Sequence, residues 1–144
     1  MNQALKEAKH ALEKDEIPIG AVVVTQNRII GKGHNQVEQL SDTTAHAEMI
    51  AITSAMSFLG SKYLKDCTLF VTLEPCTMCA GALYWSQLAR VVYGAEDAKR
   101  GFMRRGFMRY GKSVLHPKSK LEYGILSEEC GLLLTDYFKR KRNK

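Results

Sequence analysis

His46-Ala47-Glu48 and, further along, Pro75-Cys76-Thr77-Met78-Cys79 offer one imidazole, two thiols and one carboxylate to a single metal ion. Zinc favours nitrogen and sulfur donors in a tetrahedron, and a catalytic zinc keeps one of its four positions open for water. His46, Cys76 and Cys79 would fill three positions, which leaves Glu48 free to move protons. That combination activates water rather than merely fastening a fold.

The elements around these residues suit the task. A helix is expected to start near Ala45 and run through Met49, Ile50, Ile52, Ala55 and Met56, with His46 at its beginning. A second helix is expected from Cys76 to about Ser86, with Pro75 at the junction, where proline suits a first helical turn. Unpaired N–H groups and the helix dipole favour negative charge at such a start, so thiolates are stabilised there. Cys76 and Cys79 stand at i and i+3, on one side of the helix. His46 and Glu48 stand at i and i+2 and do not share a face, so Glu48 suits a neighbour of the metal better than a fourth ligand.

The rest of the chain supplies a scaffold. Asn2 to about Lys14 reads as an amphipathic helix with Leu5, Ala8 and Leu12 on its apolar side. Ala21-Val22-Val23-Val24 predicts a buried strand, and Gln26-Asn27 a tight turn into Arg28-Ile29-Ile30-Gly31, pairing as a hairpin. Gly33 to Thr44 reads as a polar loop. Cys67–Thr72, Val91–Gly94 and Leu121–Ile125 read as further strands, and Ser127 as the N-cap of a last helix to about Arg140. Strands alternating with helices imply a three-layer α/β/α sandwich around a single mixed sheet of about five strands. No boundary interrupts residues 1–144, which read as a single domain.

At 144 residues and 45% hydrophobic, the chain can bury a real core without disulfides. Mixed charge near the first residues and the lack of any long apolar run predict a cytoplasmic protein with no membrane association. Thiols stay reduced in that compartment, which favours metal or catalytic roles for paired cysteines. The net charge of +6 is uneven: residues 1–98 hold 8 Lys and Arg against 11 Asp and Glu, whereas residues 99–144 hold 13 against 4. A basic terminal third, ending in Lys139-Arg140-Lys141-Arg142, suggests an anion-binding face with nucleic acid as the partner. An ordinary solubilising tail is the alternative.

Two blander readings of the motif compete with catalysis. A lone C-x-x-C opening a helix also describes a thioredoxin-type redox site, but that leaves His46-Ala47-Glu48 unexplained. A structural zinc site wants a fourth protein ligand. Cys67 and Cys130 fall in expected core elements, and His10, His34 and His116 read as surface or loop residues.

H-x-E followed by P-C-x-x-C resembles the signature of zinc-dependent nucleobase deaminases. The likeness extends over nearly the whole chain to the bacterial tRNA-specific adenosine deaminases. It is carried by Ile17-Pro18-Ile19-Gly20-Ala21-Val22-Val23-Val24, Gly31-Lys32-Gly33-His34-Asn35, Thr44-Ala45-His46-Ala47-Glu48-Met49, Thr72 through Ala82 and Gly94-Ala95-Glu96-Asp97-Ala98-Lys99. The resemblance implies a cytidine deaminase-like fold and a hydrolase acting on a cyclic amidine C–N bond. It further implies a homodimer, one Zn2+ per subunit held by His46, Cys76 and Cys79, and Glu48 as the catalytic proton carrier. The implied substrate is the wobble adenosine of a tRNA anticodon stem-loop. By the same likeness Asn35 hydrogen-bonds the target base, Ile17, Pro18, Ala47 and Leu73 line the pocket, and Asp97, Lys99, Phe138, Lys139 and Lys141 contact RNA. A base in a loop is already unstacked, so extruding it costs little.

The pattern departs between Arg100 and Lys120, where Gly101-Phe102-Met103-Arg104 is echoed by Gly106-Phe107-Met108-Arg109; the echo reads as a duplicated surface loop. Tyr84-Trp85 is similar to guanine deaminases and keeps open a deaminase of free bases or nucleosides, guanine or cytosine type. A non-catalytic zinc module that binds nucleic acid is the alternative from another class.

Overall fold

A computed structural model describes residues 1–144. The alanine stripe of α1 (Asn2–Glu13) puts Ala4, Ala8 and Ala11 fully out of solvent against β1 (Gly20–Thr25). Contact this close needs Gly20, where a Cβ would collide with the Ala4 carbonyl. Gln26 and Asn27 both take positive φ, 48° and 58°, as a tight hairpin turn requires, and lead into β2 (Arg28–His34). β2 runs three residues past its expected end. Its Gly31 and Gly33 admit the backbone of α3 (Ala47–Leu59), so this stretch is a strand under a helix rather than a loop. The polar segment that follows also contains a short helix, α2 (Val37–Leu40).

β3 (Thr68–Leu73), α4 (Thr77–Ser86), β4 (Arg90–Ala95), α5 (Met103–Tyr110), β5 (Lys120–Tyr123) and α6 (Ser127–Arg142) complete the chain. One sheet orders the strands β2-β1-β3-β4-β5. β1 is antiparallel to β2 and β3, while β3, β4 and β5 run parallel. This is the expected mixed five-stranded sandwich. Ala21, Val23, Leu69, Val71, Val91 and Tyr93 face one side, in a core with Ala47, Ala51 and Ala55 of α3 and Ala80 and Leu83 of α4. The alternate residues face α1 and α6; Gly94 leaves room there for the Cys130 thiol. No helix is long and apolar enough to cross a membrane.

Three further local expectations are corrected. Residues 103–110 are a helix, α5, where a loop was expected: Met103 and Gly106 are buried one turn apart, and the intervening arginines disguise the pattern. Leu126, with φ 53°, precedes α6, and Ser127 is its first helical residue without a side-chain cap. Pro75 sits one residue before the N-cap of α4, Cys76, rather than inside the first turn.

Strand register sets the site. Gly20 pairs with His34, Ala21 with Val71 and Leu73 with Ala95. Residues 17–19, 34–36, 73–76 and 95–97 therefore meet at one end of the sheet.

Candidate active site

Two helix beginnings converge on that end. His46 is the N-cap of α3 and Cys76 the N-cap of α4, both with extended backbone (ψ 152° and 176°). Extended caps swing these side chains off the helix axis, and Cys79, in the first turn of α4, joins them. His46 Nδ1 lies 3.6 Å from Cys76 Sγ and 3.6 Å from Cys79 Sγ. Zinc bonds of about 2.0–2.1 Å to nitrogen and about 2.3 Å to sulfur, opened to tetrahedral angles, put such donors about 3.6 Å apart. The three donors therefore fit zinc in spacing as well as in kind.

The electrostatics favour a cation. Cys76 is drawn down to about 4, chiefly by the hydrogen bond from the Cys79 thiol, with His46 assisting. Cys79 is pushed up, because its proton is the one donated to Cys76 and because it is buried. His46 is raised by its contact with Cys76; burial and the charge of Arg100 oppose the rise. A metal would displace the shared proton, so binding and proton release are coupled.

Glu48, in the first turn of α3, is 4% exposed, and burial pushes its carboxyl from 4.5 up to about 7. A carboxyl balanced between its two states near neutrality suits proton transfer in both directions.

Two further buried carboxylates brace the surroundings, and sequence reasoning missed both. Glu16, 1% exposed, accepts the Gln39 N–H at 2.7 Å and the Asn35 Nδ2 amide at 3.4 Å. Glu74, 5% exposed, accepts the backbone N–H groups of Asp97 at 3.0 Å and Arg104 at 3.1 Å. Glu74 directly follows a strand and Glu16 lies in the turn after a helix, positions that surface glutamates share.

The expected pocket residues divide by position. Asn35, Pro18 and Ala47 are buried at the converging edge, and Leu73 is half-buried at the end of β3. Asp97 Oδ1 accepts the N–H groups of Lys99 and Arg100 at 3.0 and 2.9 Å, so this side chain shapes a turn. Lys99 lines a cavity of about 600 Å³ together with Cys76, Thr77, Met78, Arg100, Phe102, Arg105 and Arg109. On α6, Phe138 is 43% exposed and Lys139 is exposed, while Lys141 Nζ pairs with Asp15 at 2.5 Å. His34, expected on the surface, instead sits 3.4 Å from Glu7 and 3.4 Å from Lys14 Nζ.

The zinc-binding region of cytidine and deoxycytidylate deaminases matches residues 1–95. A tRNA-specific adenosine deaminase of Aquifex aeolicus is 48% identical over 140 residues, 97% of this chain and 92% of that one. A tRNA-specific adenosine deaminase of Bacillus subtilis is 43% identical over 144 residues, the whole of this chain and 89% of that one. The chain belongs to the tRNA-specific adenosine deaminase branch of the cytidine deaminase family. A solved structure from work on A-to-I editing by tRNA:A34 deaminases superposes with a TM-score of 0.86 at 40% identity, covering 93% of this chain and 97% of that one. Conversely, a guanine deaminase of Bacillus subtilis, 42% identical, covers only 66% of this chain and 61% of its own, with a TM-score of 0.63. Sequence identity of 40% or more held over nearly the whole chain thus lies with the tRNA branch.

Proposed function

We propose that these 144 residues form one zinc-dependent deaminase domain that converts the wobble adenosine of a tRNA anticodon to inosine. It acts in the cytoplasm as one subunit of a homodimer, with one zinc ion per subunit. The observation that carries this reading is the donor triangle of His46, Cys76 and Cys79 beside the buried Glu48. The exposure of Tyr84 and Trp85 on α4, 37% and 75%, supports a subunit contact on the same helix.

His46 Nδ1 and the two thiolates would hold the zinc, which supplies the Lewis acidity that makes water a nucleophile near neutral pH. Glu48 takes a proton from that water and delivers it to N1 of the purine as oxygen adds at C6. The same carboxyl then takes the proton left on the added hydroxyl and passes it to the departing amine, as the C6–N bond breaks and the C6 carbonyl forms. Adenosine and water become inosine and ammonia, and Glu48 ends as it began. Asn35, anchored through one N–H to Glu16, keeps a second N–H and an amide oxygen for the base. Pro18, Ala47 and Leu73 keep the pocket dry, and Lys99, Phe138, Lys139 and Lys141 engage the RNA outside it.

Incubating the pure protein with an anticodon stem-loop bearing a wobble adenosine should yield inosine. No conversion, alongside robust turnover of free guanine or cytosine, would replace this reading with that of a free-base deaminase.

A further inference from the structure

α5 separates two cavities. Met103 and Phe107 face one of about 590 Å³, against Tyr93 of β4 and Leu121 and Tyr123 of β5. Phe102, Arg105 and Arg109, spaced at i, i+3 and i+7, face the other, of about 600 Å³, whose opposite wall holds Cys76. Lys99 and Arg100 complete that second wall. Four cationic side chains therefore converge on a space that shares a residue with the metal triangle. None of the chain's ion pairs takes in Lys99, Arg100, Arg105 or Arg109.

The backbone beneath these cations is fixed. Asp97 caps the N–H groups of Lys99 and Arg100. Arg105 donates to the carbonyls of Lys99, at 2.5 Å, and Ala98, folding the turn onto α5. Glu74 ties both ends of the segment to the cysteine loop. Four cations in one concavity outnumber the anionic groups beside them, Cys76 and Asp97, so they repel one another, and a bound anion relieves that repulsion.

We propose that this cavity seats the phosphodiester groups flanking the reacting adenosine, with Arg100 and Arg109 as direct contacts and Arg105 as the residue that positions the turn. The assignment rests on the RNA-deaminase reading and gives it a location. It also gives a role to the Gly-Phe-Met-Arg echo: the second copy carries Arg109 to the same cavity that the first copy's Phe102 lines.

The test is the salt dependence of kcat/KM on an anticodon stem-loop, from about 50 to about 200 mM KCl, where each phosphate contact to a single strand contributes a slope of about 0.7. The Arg100→Gln/Arg109→Gln protein should show a slope shallower by roughly 1.4, with KM raised at low salt and kcat within about twofold of wild type. Both side chains are exposed, so the fold should persist. Lys62→Gln/Lys65→Gln removes the same charge near the start of β3, at the opposite end of that strand from Cys76, and should leave the slope unaltered. An unchanged slope in the arginine variant, or an equal loss in the lysine variant, overturns the cavity assignment while the substrate reading stands. Wild-type protein that forms no inosine overturns both.

Discussion

Glu74 holds Asp97 by its backbone: Oε2 of the buried carboxylate accepts the Asp97 N–H at 3.0 Å, while Oε1 accepts the N–H of Arg104. One side chain from the cysteine loop thus fixes both the turn after β4 and the start of α5. Gly101 makes this possible, since a Cβ there would run into the Glu74 carboxylate. Glu74→Gln replaces one accepting oxygen with an amide that cannot accept, leaving a buried N–H unpaired at a cost of roughly 1–3 kcal/mol. Thermal denaturation should show a lower Tm for Glu74→Gln and for Gly101→Ala. Wild-type Tm in both would mean that the link is dispensable.

Glu48 separates proton transfer from metal holding. Glu48→Gln should keep a full equivalent of zinc by elemental analysis yet lose about 10²–10⁴-fold in kcat. Loss of zinc along with activity would place Glu48 among the ligands. Retention of activity would support a module that binds without catalysis.

Cys76→Ser and Cys79→Ser each remove one corner of the donor triangle. Zinc content should drop in both, and a chelator should lower the Tm of the wild-type protein but not that of the variants, because metal binding contributes to folding. Full zinc occupancy in either variant would contradict the ligand assignment.

Cys130, packed against Gly94 under α6, gives a pH dependence. Burial pushes its thiol from 9.0 up to about 11. An acid whose pKa is higher in the folded chain favours folding while protonated. Its contribution is complete below pH 9 and is lost as pH rises through 11. The wild-type Tm should fall across that window, and Cys130→Ala, less stable at pH 8 for want of the sulfur, should fall less steeply. Parallel curves would show that another group titrates.

The donor set was legible because its spacing is local: Cys76 and Cys79 are one helical turn apart, and His46 and Glu48 are separated by a single residue. The sheet was legible because β1, β3 and β4 are apolar runs of strand length. Less was readable where partners are distant in the chain. Nothing near Glu16 marks it as the acceptor for Asn35, and nothing near Glu74 announces Arg104, because these contacts exist only once the sheet brings its ends together. α5 escaped notice because Arg104, Arg105 and Arg109 dilute an apolar face of few residues.

The triangle rests on the starts of α3 and α4, whereas α5 lies in the crossover between β4 and the outermost strand, β5. Residues 97–119 supply no corner of the triangle, yet Glu74 and Pro75 hold Asp97, Phe102 and Arg104 by their main chain, so side chains along the basic cavity are free to vary only while those backbone ties are kept.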